Sequence, residues 1–487
     1  MKGLWQQLAN WAQTRPSATA LVSPAGQLDF AGLWQAIEAG AERCRALAVA
    51  GRPLALAGDN SVGWVLADLA CARAQVPCVP IPPFFSPLQR EHLLRDSGAS
   101  GLLVAETLTW QHQPLPSTPM PSLPAGSLKV TYTSGTTGTP KGICLGAEQQ
   151  LATTQALAQR LGQVSGRRHL CTMPLAVLLE NLAGVYLPLY LGRQVQLQSL
   201  ASLGLGDLAR PDPHAFVTAL AQSGADSLIL LPATLSWLVA GVEQQPELAK
   251  PWSMLAVGGG KSSVPLLQRA RALGLPVCEG YGLSEVASVV ALDDPAAPVA
   301  GTVGQPLPHL AVKIAEDGEI WLGGNGHLGI LGVPDSAAPH WQATGDLGQW
   351  DDTGRLLVLG RKKSTLVTSL GRNVSPEWLE AELCAIPGVL QAWVYGDEVM
   401  GIQALLFAPH WAANPAGLAV QIQHCMARLP AYARLQGWQR TDTPFSAAQG
   451  ELTSNGRLRR DTLYLTRLNH NRQGAAAVAC QGDKETA

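Results

Sequence analysis

Residues 130–145 read VTYTSGTTGTPKGICL and combine glycines, hydroxyl side chains and one lysine in a single stretch. A loop of this composition buries little apolar surface, and its glycines cost conformational entropy on folding. Backbone N–H groups, Ser and Thr hydroxyls and the ammonium of Lys141 are all donors that suit phosphate oxygens. The stretch therefore predicts a loop that binds a polyphosphate.

This loop is not a Walker loop, because the pattern GxxxxGK[ST] cannot be placed on it. A second glycine-rich segment, GGGKSS at 258–263, fails the same pattern because Leu255 stands where the first glycine is required. The predicted phosphate site must therefore be of another kind.

The segment SGTTGTPKG at 134–142 resembles the phosphate-loop signature of the adenylate-forming superfamily, which includes the acyl-CoA synthetases. Further motifs of that superfamily follow in the same order along the chain: GYGLSE (280–285), TGD (344–346), GRKKSTLVTSLGRNVSPEWLE (360–380) and ELTSNGRLRR (451–460). The resemblance extends over about residues 4 to 465. It is closest to the long-chain fatty acyl-CoA synthetases.

The resemblance implies a reaction in which a carboxylate attacks the α-phosphate of ATP and releases pyrophosphate. Such chemistry depends on positioning and on charge neutralisation. The resemblance assigns catalytic roles to Lys141, Ser284, Glu285 and Arg457. Glu285 would also bind Mg²⁺, a hard cation that suits a carboxylate. Ser284 stands where the superfamily usually has threonine, and its hydroxyl would reach the α-phosphate.

The resemblance also assigns residues to the nucleotide and to the thiol substrate. They are Thr133, Ser134, Gly135, Thr136, Thr137, Gly138, Gly258, Gly259, Gly260, Tyr281, Gly282, Asp346, Arg361, Lys363 and Gly371. Tyr281 would lie against the adenine, and Asp346 with Arg361 would hold the ribose hydroxyls. The glycines from 258 to 260 would skirt the adenine and the floor of the acyl pocket.

Arg457 departs from the superfamily pattern, which has a lysine at this position. Arginine keeps the positive charge but is a broad planar fork rather than a compact ammonium. Two interpretations stay open from the sequence. Arg457 supports adenylation, or the chain is a weakly active nucleotide-binding homologue.

The segment CTMPLAVLLENLAGVYLPLYLG at 171–192 resembles a segment of the long-chain acyl-CoA synthetases that lines their acyl tunnel, with Val177 in place of a histidine. It lacks the aspartate with which amino-acid-activating domains pair the substrate ammonium. An unpaired ammonium in an apolar pocket is costly. We therefore expect a carboxylic acid without an α-amino group, and an aliphatic (fatty) acid first.

The second substrate predicted by the resemblance is a thiol. Gly371 matches the glycine that lets a pantetheine arm pass close to the backbone. Coenzyme A is the expected acceptor, while the phosphopantetheine of an acyl carrier protein and a non-thiol acceptor remain alternatives. Lys363 stands at the superfamily's hinge position, about which the small domain would move.

The order of elements predicts an α/β fold. Apolar strand-like runs such as LALAGDN (54–60) and PCVPIPP (77–83) alternate with helical patterns such as SVGWVLADLACARAQ (61–75) up to about residue 345. We expect a large multi-sheet N-terminal α/β domain over residues 1–360. A small, mobile C-terminal α+β domain would follow over 361–470, and 471–487 would be a disordered tail.

The bulk composition excludes several classes of protein. The 487 residues are 47% hydrophobic and 14% charged, which suits a globular chain with a deep core. A net charge of -2 argues against nucleic acid as a partner. The 9 cysteines are scattered without a CxxC pair, and the N-terminus lacks the apolar core of a signal peptide. We expect a cytoplasmic protein without an integral membrane segment.

Overall fold

The computed structural model describes residues 1–468, apart from Met120, 134–139, Ser165, 208–210, 369–371, Glu398, Ala448 and 454–456. The predicted tail at 471–487 lies outside these residues.

The strands are β1 Thr19–Ser23, β2 Gly26–Asp29, β3 Leu54–Ala57, β4 Cys78–Pro80, β5 Gly101–Ala105, β6 Trp110–Pro114, β7 Ser127–Thr133, β8 Lys141–Gly146, β9 Arg168–Leu170, β10 Gln194–Gln196, β11 Ser227–Leu230, β12 Met254–Val257, β13 Val277–Leu283, β14 Ser288–Leu292, β15 Gln305–Pro306, β16 Leu310–Ile314, β17 Glu319–Gly324, β18 Gly329–Ile330, β19 Trp341–Trp350, β20 Leu356–Arg361, β21 Leu366–Val367, β22 Asn373–Val374, β23 Gln391–Asp397, β24 Gly401–Phe407 and β25 Gly437–Thr441.

The α-helices are α1 Lys2–Thr14, α2 Phe30–Leu47, α3 Val62–Ala74, α4 Pro87–Ser97, α5 Ala147–Leu161, α6 Leu187–Tyr190, α7 Pro213–Ser223, α8 Pro232–Gln244, α9 Val264–Ala272, α10 Pro376–Cys384, α11 Pro415–Ala427 and α12 Arg460–Leu463. A π-helical segment, Glu180–Tyr186, runs directly into α6.

The predicted strand–helix–strand order is confirmed around residues 54–80. All four residues of β3 are buried, as expected for a strand covered on both faces. The helix that follows begins after Ser61, whose hydroxyl accepts a hydrogen bond from the Trp64 N–H at 3.1 Å. This cap satisfies one of the free N–H groups at the start of α3. The helix returns the chain to β4, which pairs with β3 in parallel.

Two large mixed sheets form the N-terminal part of the chain. One has nine strands in the order β15-β14-β13-β12-β11-β9-β10-β1-β2, and the other has seven in the order β18-β8-β7-β4-β3-β5-β6. In both sheets the central pairs are parallel, such as β11 with β12 and β3 with β5, while the outer pairs are antiparallel. Helices packed on these sheets bury the main apolar clusters. The predicted α/β class is confirmed.

The alternation of strands and helices ends earlier than predicted. After α9, the described residues up to β20 contain strands and one short 3₁₀ turn but no α-helix, and β16, β17, β19 and β20 form a four-stranded antiparallel sheet. The expectation that alternation continues to about residue 345 was wrong. The reason is local, because Asp317 and Gly318 form the turn of a hairpin between β16 and β17. An Asp-Gly pair between apolar runs is a strong hairpin signal.

The C-terminal part has a core of its own. β23, β24 and β25 form a three-stranded sheet, and α10 and α11 pack with it around residues such as Leu379, Val394, Leu406 and Ile422. This is a small α+β unit, as predicted. The proposed boundary near residue 360 and the mobility of the unit stay predictions. Among the described residues, no helix has the length and apolar character needed to cross a membrane.

Candidate active site

The motif predicted to bind polyphosphate lies on a β-hairpin. β7 ends at Thr133, β8 begins at Lys141, and the two residues are paired across the antiparallel ladder. Lys141 is exposed. The hairpin therefore holds Thr133 and Lys141 at the two ends of the predicted phosphate loop. The other loop residues of the prediction lie outside the described part of the chain: Ser134, Gly135, Thr136, Thr137 and Gly138.

Three of the predicted nucleotide-binding side chains are in direct contact. The Tyr281 phenol donates a hydrogen bond to Oδ2 of Asp346 at 2.6 Å, and Nε of Arg361 lies 3.0 Å from Oδ1 of the same carboxylate. Asp346 on β19 and Arg361 on β20 are direct partners in the antiparallel ladder. Arg361 also donates from Nη1 to the carbonyl of Thr344 at 3.1 Å. Sheet pairing thus gives the Asp346–Arg361 ion pair a fixed geometry.

Burial is the largest influence on the pKa values of Asp346 and Tyr281. Asp346 is 5% exposed, and burial raises the pKa of its carboxyl although the Arg361 charge and the Tyr281 hydrogen bond act in the opposite direction. The pKa of Tyr281 is also raised, first by burial and then by the charge of Asp346. Asp346 is therefore a desolvated acceptor beside a planar ring, and its remaining lone pairs suit the hydroxyls of a diol.

Glu285 is joined to the phosphate hairpin by a short segment. It lies in the 3₁₀ turn Ser284–Val286, directly after β13. Its carbonyl accepts a hydrogen bond from His327 N at 2.9 Å, and Leu331 N donates to the carbonyl of Gly142 at 2.8 Å. Gly142 follows Lys141 in the chain, so residues 327–331 bridge the predicted metal-binding turn and the hairpin.

The Glu285 carboxylate is half-buried, and it accepts no hydrogen bond from any residue that the structure describes. A carboxylate in this condition fits a hard divalent cation such as Mg²⁺, which prefers oxygen ligands. The neighbouring His327 has a pKa lowered by burial, against the charge of Glu285. Ser284 is half-buried in the same turn.

Arg457 reaches this group from the C-terminal unit. Its Nη2 donates to the carbonyl of Gly259 at 3.4 Å. Burial and the like charge of Arg361 lower its pKa, while the charges of Asp346 and Glu285 raise it. Arg457 as a residue is exposed, and its guanidinium lies within electrostatic reach of Asp346, Arg361 and Glu285. Gly259 lies 198 positions before Arg457 in the chain. The catalytic role that the motif implies for Arg457 stays a prediction.

The three glycines from Gly258 to Gly260 follow β12 directly. Gly259 has φ +79°, a left-handed conformation that favours glycine. A Cβ at this position would lie 2.9 Å from Leu231, and one at Gly258 would lie 3.9 Å from Leu179. Leu231 is 37% exposed. Apolar side chains therefore flank the glycine backbone.

The remaining predicted residues are less closely linked to the group. Gly282 lies in β13, where a Cβ would stand 1.7 Å from the Ser288 carbonyl oxygen, so a side chain is excluded by close approach of the backbone. Lys363 is exposed in the 3₁₀ turn Lys362–Ser364. Gly371 lies outside the described residues.

Sequence reasoning missed several charged groups beside the site. Lys261 follows the three glycines and donates from Nζ to the Val358 carbonyl at 2.6 Å. Glu279, two residues before Tyr281, is 6% exposed, and burial raises its pKa to about 7. In each case the sequence offers one signal of a residue near the site, which is a charged side chain next to a recognised motif. Their partners lie far along the chain, however, and no local pattern identifies them.

Several known proteins are similar to this chain in sequence or in fold. The sequence profile of the AMP-binding enzyme family matches residues 8–128 and 116–331. A 2-succinylbenzoate–CoA ligase of Bacillus licheniformis is 26% identical over 462 residues, which cover 87% of this chain and 94% of that protein. A long-chain-fatty-acid–CoA ligase of Mycobacterium bovis is 40% identical over 154 residues, which cover 31% of this chain and 26% of that protein.

A similar fold is found in the o-succinylbenzoate CoA synthetase from Bacillus subtilis in complex with its acyl-adenylate intermediate. The TM-score is 0.75 at 24% sequence identity, and the match covers 94% of this chain and 97% of that chain. The same synthetase has been solved with ATP and a magnesium ion. At this level of identity the comparison establishes the fold.

Proposed function

Because the chain belongs to the AMP-binding enzyme family, as the adenylate-forming motifs predicted, we propose that it is an AMP-forming acid–thiol ligase. It activates a carboxylic acid with ATP, releases pyrophosphate, and transfers the acyl group to coenzyme A. The observation that carries this proposal is the contact of Asp346 with both Tyr281 and Arg361, faced by Arg457 from the C-terminal unit. These four side chains come from four separate motifs.

In the first step, a carboxylate oxygen of the acid attacks the α-phosphorus of ATP. The bond between the α-phosphorus and the oxygen that leads to the β-phosphate breaks, and its electron pair leaves with pyrophosphate. Arg457 neutralises the charge that develops at the α-phosphate, and Lys141 neutralises the leaving group. Asp346 accepts hydrogen bonds from the ribose hydroxyls, and the ring of Tyr281 covers the adenine. Mg²⁺, held by Glu285, would supply further positive charge at the phosphates when bound.

In the second step, the sulfur of the thiol attacks the acyl carbon of the adenylate. The bond from the acyl carbon to the phosphate oxygen breaks, AMP leaves with the electron pair, and the thiol proton passes to solvent. Coenzyme A is the proposed acceptor, in agreement with the names of the relatives. The phosphopantetheine of an acyl carrier protein presents the same thiol arm and is the alternative acceptor.

The acid is proposed to be apolar, with a fatty acid as the first candidate. The side chains that an added Cβ at Gly258, Gly259 or Gly260 would meet are Leu179, Leu231 and Pro232, and none of these three carries a charge. Such surroundings favour a hydrocarbon over a second carboxylate or an ammonium. An aromatic acid is the second candidate, because the relative that covers 87% of this chain is named for 2-succinylbenzoate.

The test is pyrophosphate release from ATP and Mg²⁺ with a panel of acids, with and without coenzyme A. The panel includes saturated fatty acids of several lengths, benzoate, anthranilate and 2-succinylbenzoate, and products are identified by mass spectrometry. We expect release and a thioester with an apolar acid, and neither with the Lys141→Met variant. Release without any thioester would redirect the proposal to a carrier protein or a non-thiol acceptor. Nucleotide binding without release for every acid would overturn it.

A further inference from the structure

Three potential metal ligands cluster in the core at the end of β9. His169 lies in β9, Cys171 follows the strand directly, and Glu180 is the first residue of the π-helical segment. All three side chains are buried. An imidazole nitrogen, the thiol sulfur and a carboxylate oxygen of this cluster all lie within 4.8 Å of one another. Nitrogen, sulfur and carboxylate oxygen are the donor atoms that zinc takes in proteins.

Hydrogen bonds fix the donor atoms of His169 and Glu180. Nε2 of His169 lies 3.2 Å from Oε1 of Glu180, and Oε2 of the same carboxylate accepts from Met173 N at 2.9 Å. Nδ1 of His169 lies 3.1 Å from Oγ of Ser227. A metal-bound histidine usually donates its second ring N–H to such an acceptor, which sets the tautomer and the ring orientation. The network therefore holds Nε2 and Oε1 side by side.

The distances suit a tetrahedral ion after a small movement of the thiol. Zinc lies about 2.0–2.3 Å from its ligand atoms, so those atoms lie about 3–4 Å from one another. The separation of 3.2 Å between His169 and Glu180 is within this range. The Cys171 thiol donates to the Gly184 carbonyl at 3.6 Å, and rotation about its Cα–Cβ bond brings the sulfur closer to the other two ligand atoms.

The glycine at position 184 leaves room for the cluster. A Cβ added there would lie 2.1 Å from Oε1 of Glu180 and 3.0 Å from Nε2 of His169. Any side chain at Gly184 would therefore displace both donor atoms. A cavity of about 20 Å³, lined by His169 and Ser227 among others, adjoins the cluster. This volume holds about one water molecule, which suits the open fourth position of a site with three protein ligands.

We propose that His169, Cys171 and Glu180 bind one zinc ion, with a water molecule as the fourth ligand. When zinc binds, the Cys171 thiol releases its proton to solvent, and the proton on Nε2 of His169 is exchanged for one on Nδ1 that is donated to Ser227. One thiolate and one carboxylate then balance the two positive charges of the ion. Such a neutral site is compatible with burial, whereas an uncompensated charge is costly. The ion would tie β9 to the π-helical segment, independently of the proposed ligase reaction.

Metal analysis of the full-length protein tests the proposal. Untagged protein, expressed with added zinc and purified without a chelator, should retain about one zinc ion per chain after dialysis. Reconstitution of the metal-free protein with Co²⁺ should give the sulfur-to-cobalt charge-transfer absorption of a bound thiolate. Absence of both signals would overturn the proposal and leave the cluster as a hydrogen-bond network of the core.

Two variants of nearly unchanged size locate the ion. Cys171→Ser removes the thiolate, and Glu180→Gln removes the carboxylate charge but can still accept the hydrogen bond from Met173 N. Each variant should retain less than about a tenth of the zinc. Cys278→Ser changes another buried thiol, in β13 of the same sheet, and should retain all of it. Zinc that remains in both ligand variants would place the ion elsewhere and refute the site.

Ser227 offers a graded test, because it contacts a proposed ligand without being one. Ser227→Ala removes the partner of Nδ1 of His169 and should weaken zinc affinity about tenfold or more, as measured by competition with a chromophoric chelator. An unchanged affinity would contradict the proposed role of His169. Chelation should lower the Tm of the unchanged protein but not that of Glu180→Gln, because only a bound ion stabilises the fold. An equal Tm of the unchanged protein with and without chelator would overturn the proposal, and none of these readouts requires ligase activity.

Discussion

The phenol of Tyr281 and the carboxylate of Asp346 are joined by a 2.6 Å hydrogen bond that links β13 of the nine-stranded sheet to β19 of the antiparallel sheet. Both side chains lie where burial raises the pKa of their acidic groups. The bond therefore fixes the angle between the ring proposed to cover adenine and the acceptor proposed to hold the ribose.

Removal of the phenol hydroxyl tests this relationship. Tyr281→Phe keeps the ring but removes one hydrogen-bond donor from the buried carboxylate of Asp346. Leaving that acceptor unpaired costs about 1–3 kcal/mol of free energy. We expect the KM for ATP to rise about tenfold, and Asp346→Ala to raise it about a hundredfold, because the ribose acceptor itself is lost. Steady-state pyrophosphate release measures both values. Equal KM values for Tyr281→Phe and the unchanged enzyme would show that the bond has no part in nucleotide binding.

Replacement of Arg457 tests its place at the reacting centre. Arg457→Met removes the positive charge that faces Asp346 and Glu285, and we expect adenylation to slow about a hundredfold or more. Arg457→Lys keeps the charge with a different shape and should stay within about tenfold of the unchanged enzyme. Single-turnover pyrophosphate release measures the rates. Full activity of Arg457→Met would place this guanidinium away from the chemistry.

The buried Glu279 makes stability depend on pH. Burial raises its pKa from 4.5 to about 7, so between these values the folded protein holds a proton that the unfolded chain releases. Stability therefore falls as pH rises through this window, by up to about 3 kcal/mol, and the penalty persists above pH 7. Glu279→Gln should be more stable than the unchanged protein at pH 8 and equal to it near pH 4.5. Urea unfolding at both pH values decides this, and an unchanged pH slope would contradict it.

A buried charge pair joins the phosphate hairpin, formed by β7 and β8, to the N-terminal core. Lys129 in β7 is paired with Asp68 in α3 at 2.9 Å, and Asn181 and Tyr186 also donate to Asp68 at 2.9 Å each. Lys129→Met leaves the carboxylate without its counterion and should lower the free energy of unfolding by about 3–5 kcal/mol. The double change with Asp68→Leu should recover much of that loss. Urea unfolding of Lys129→Met, Asp68→Leu and the double variant measures the coupling between the two residues. Additive losses of unfolding free energy would argue against a direct pair.

Leu231 is one of the apolar side chains beside the glycine segment, where we propose that the acid binds. It is 37% exposed beside Gly259, so a larger side chain there fills space that a long acid would need. We expect Leu231→Trp to lower kcat/KM for a twelve-carbon acid about tenfold or more relative to a four-carbon acid, with the KM for ATP unchanged. Leu88→Trp, at a residue that is 77% exposed on α4, serves as the matched control. Equal effects on both acids would place the acyl chain elsewhere.

Sequence reasoning worked best where the determining interactions are local. The serine cap and apolar run that begin α3, and the buried strands on either side of it, follow from residues that are neighbours in the chain. The motifs were equally local, and the structure brings Tyr281, Asp346 and Arg361 into contact, with Arg457 within electrostatic reach of them. Their roles in binding and catalysis stay predictions.

What sequence reasoning missed depends on partners that are distant in the chain. Nothing near Lys129 indicates that its counterion is Asp68, 61 residues away, and nothing near Lys261 points to Val358. Such pairs become visible only once the sheet order is known. The antiparallel sheet was missed for a different reason, since its Asp-Gly hairpin signal at 317–318 was present and was not used.

The β19–β20 hairpin has a mechanical consequence. Its last residue, Arg361, forms an ion pair with Asp346. The next residues, Lys362–Ser364, form the turn that leads toward the C-terminal unit. No residue separates Arg361, which is predicted to contact the ribose, from the predicted hinge at Lys362–Ser364. We predict that an occupied nucleotide site stiffens the predicted hinge and that departure of AMP frees it, so that the timing of the proposed domain movement follows the nucleotide rather than the acid.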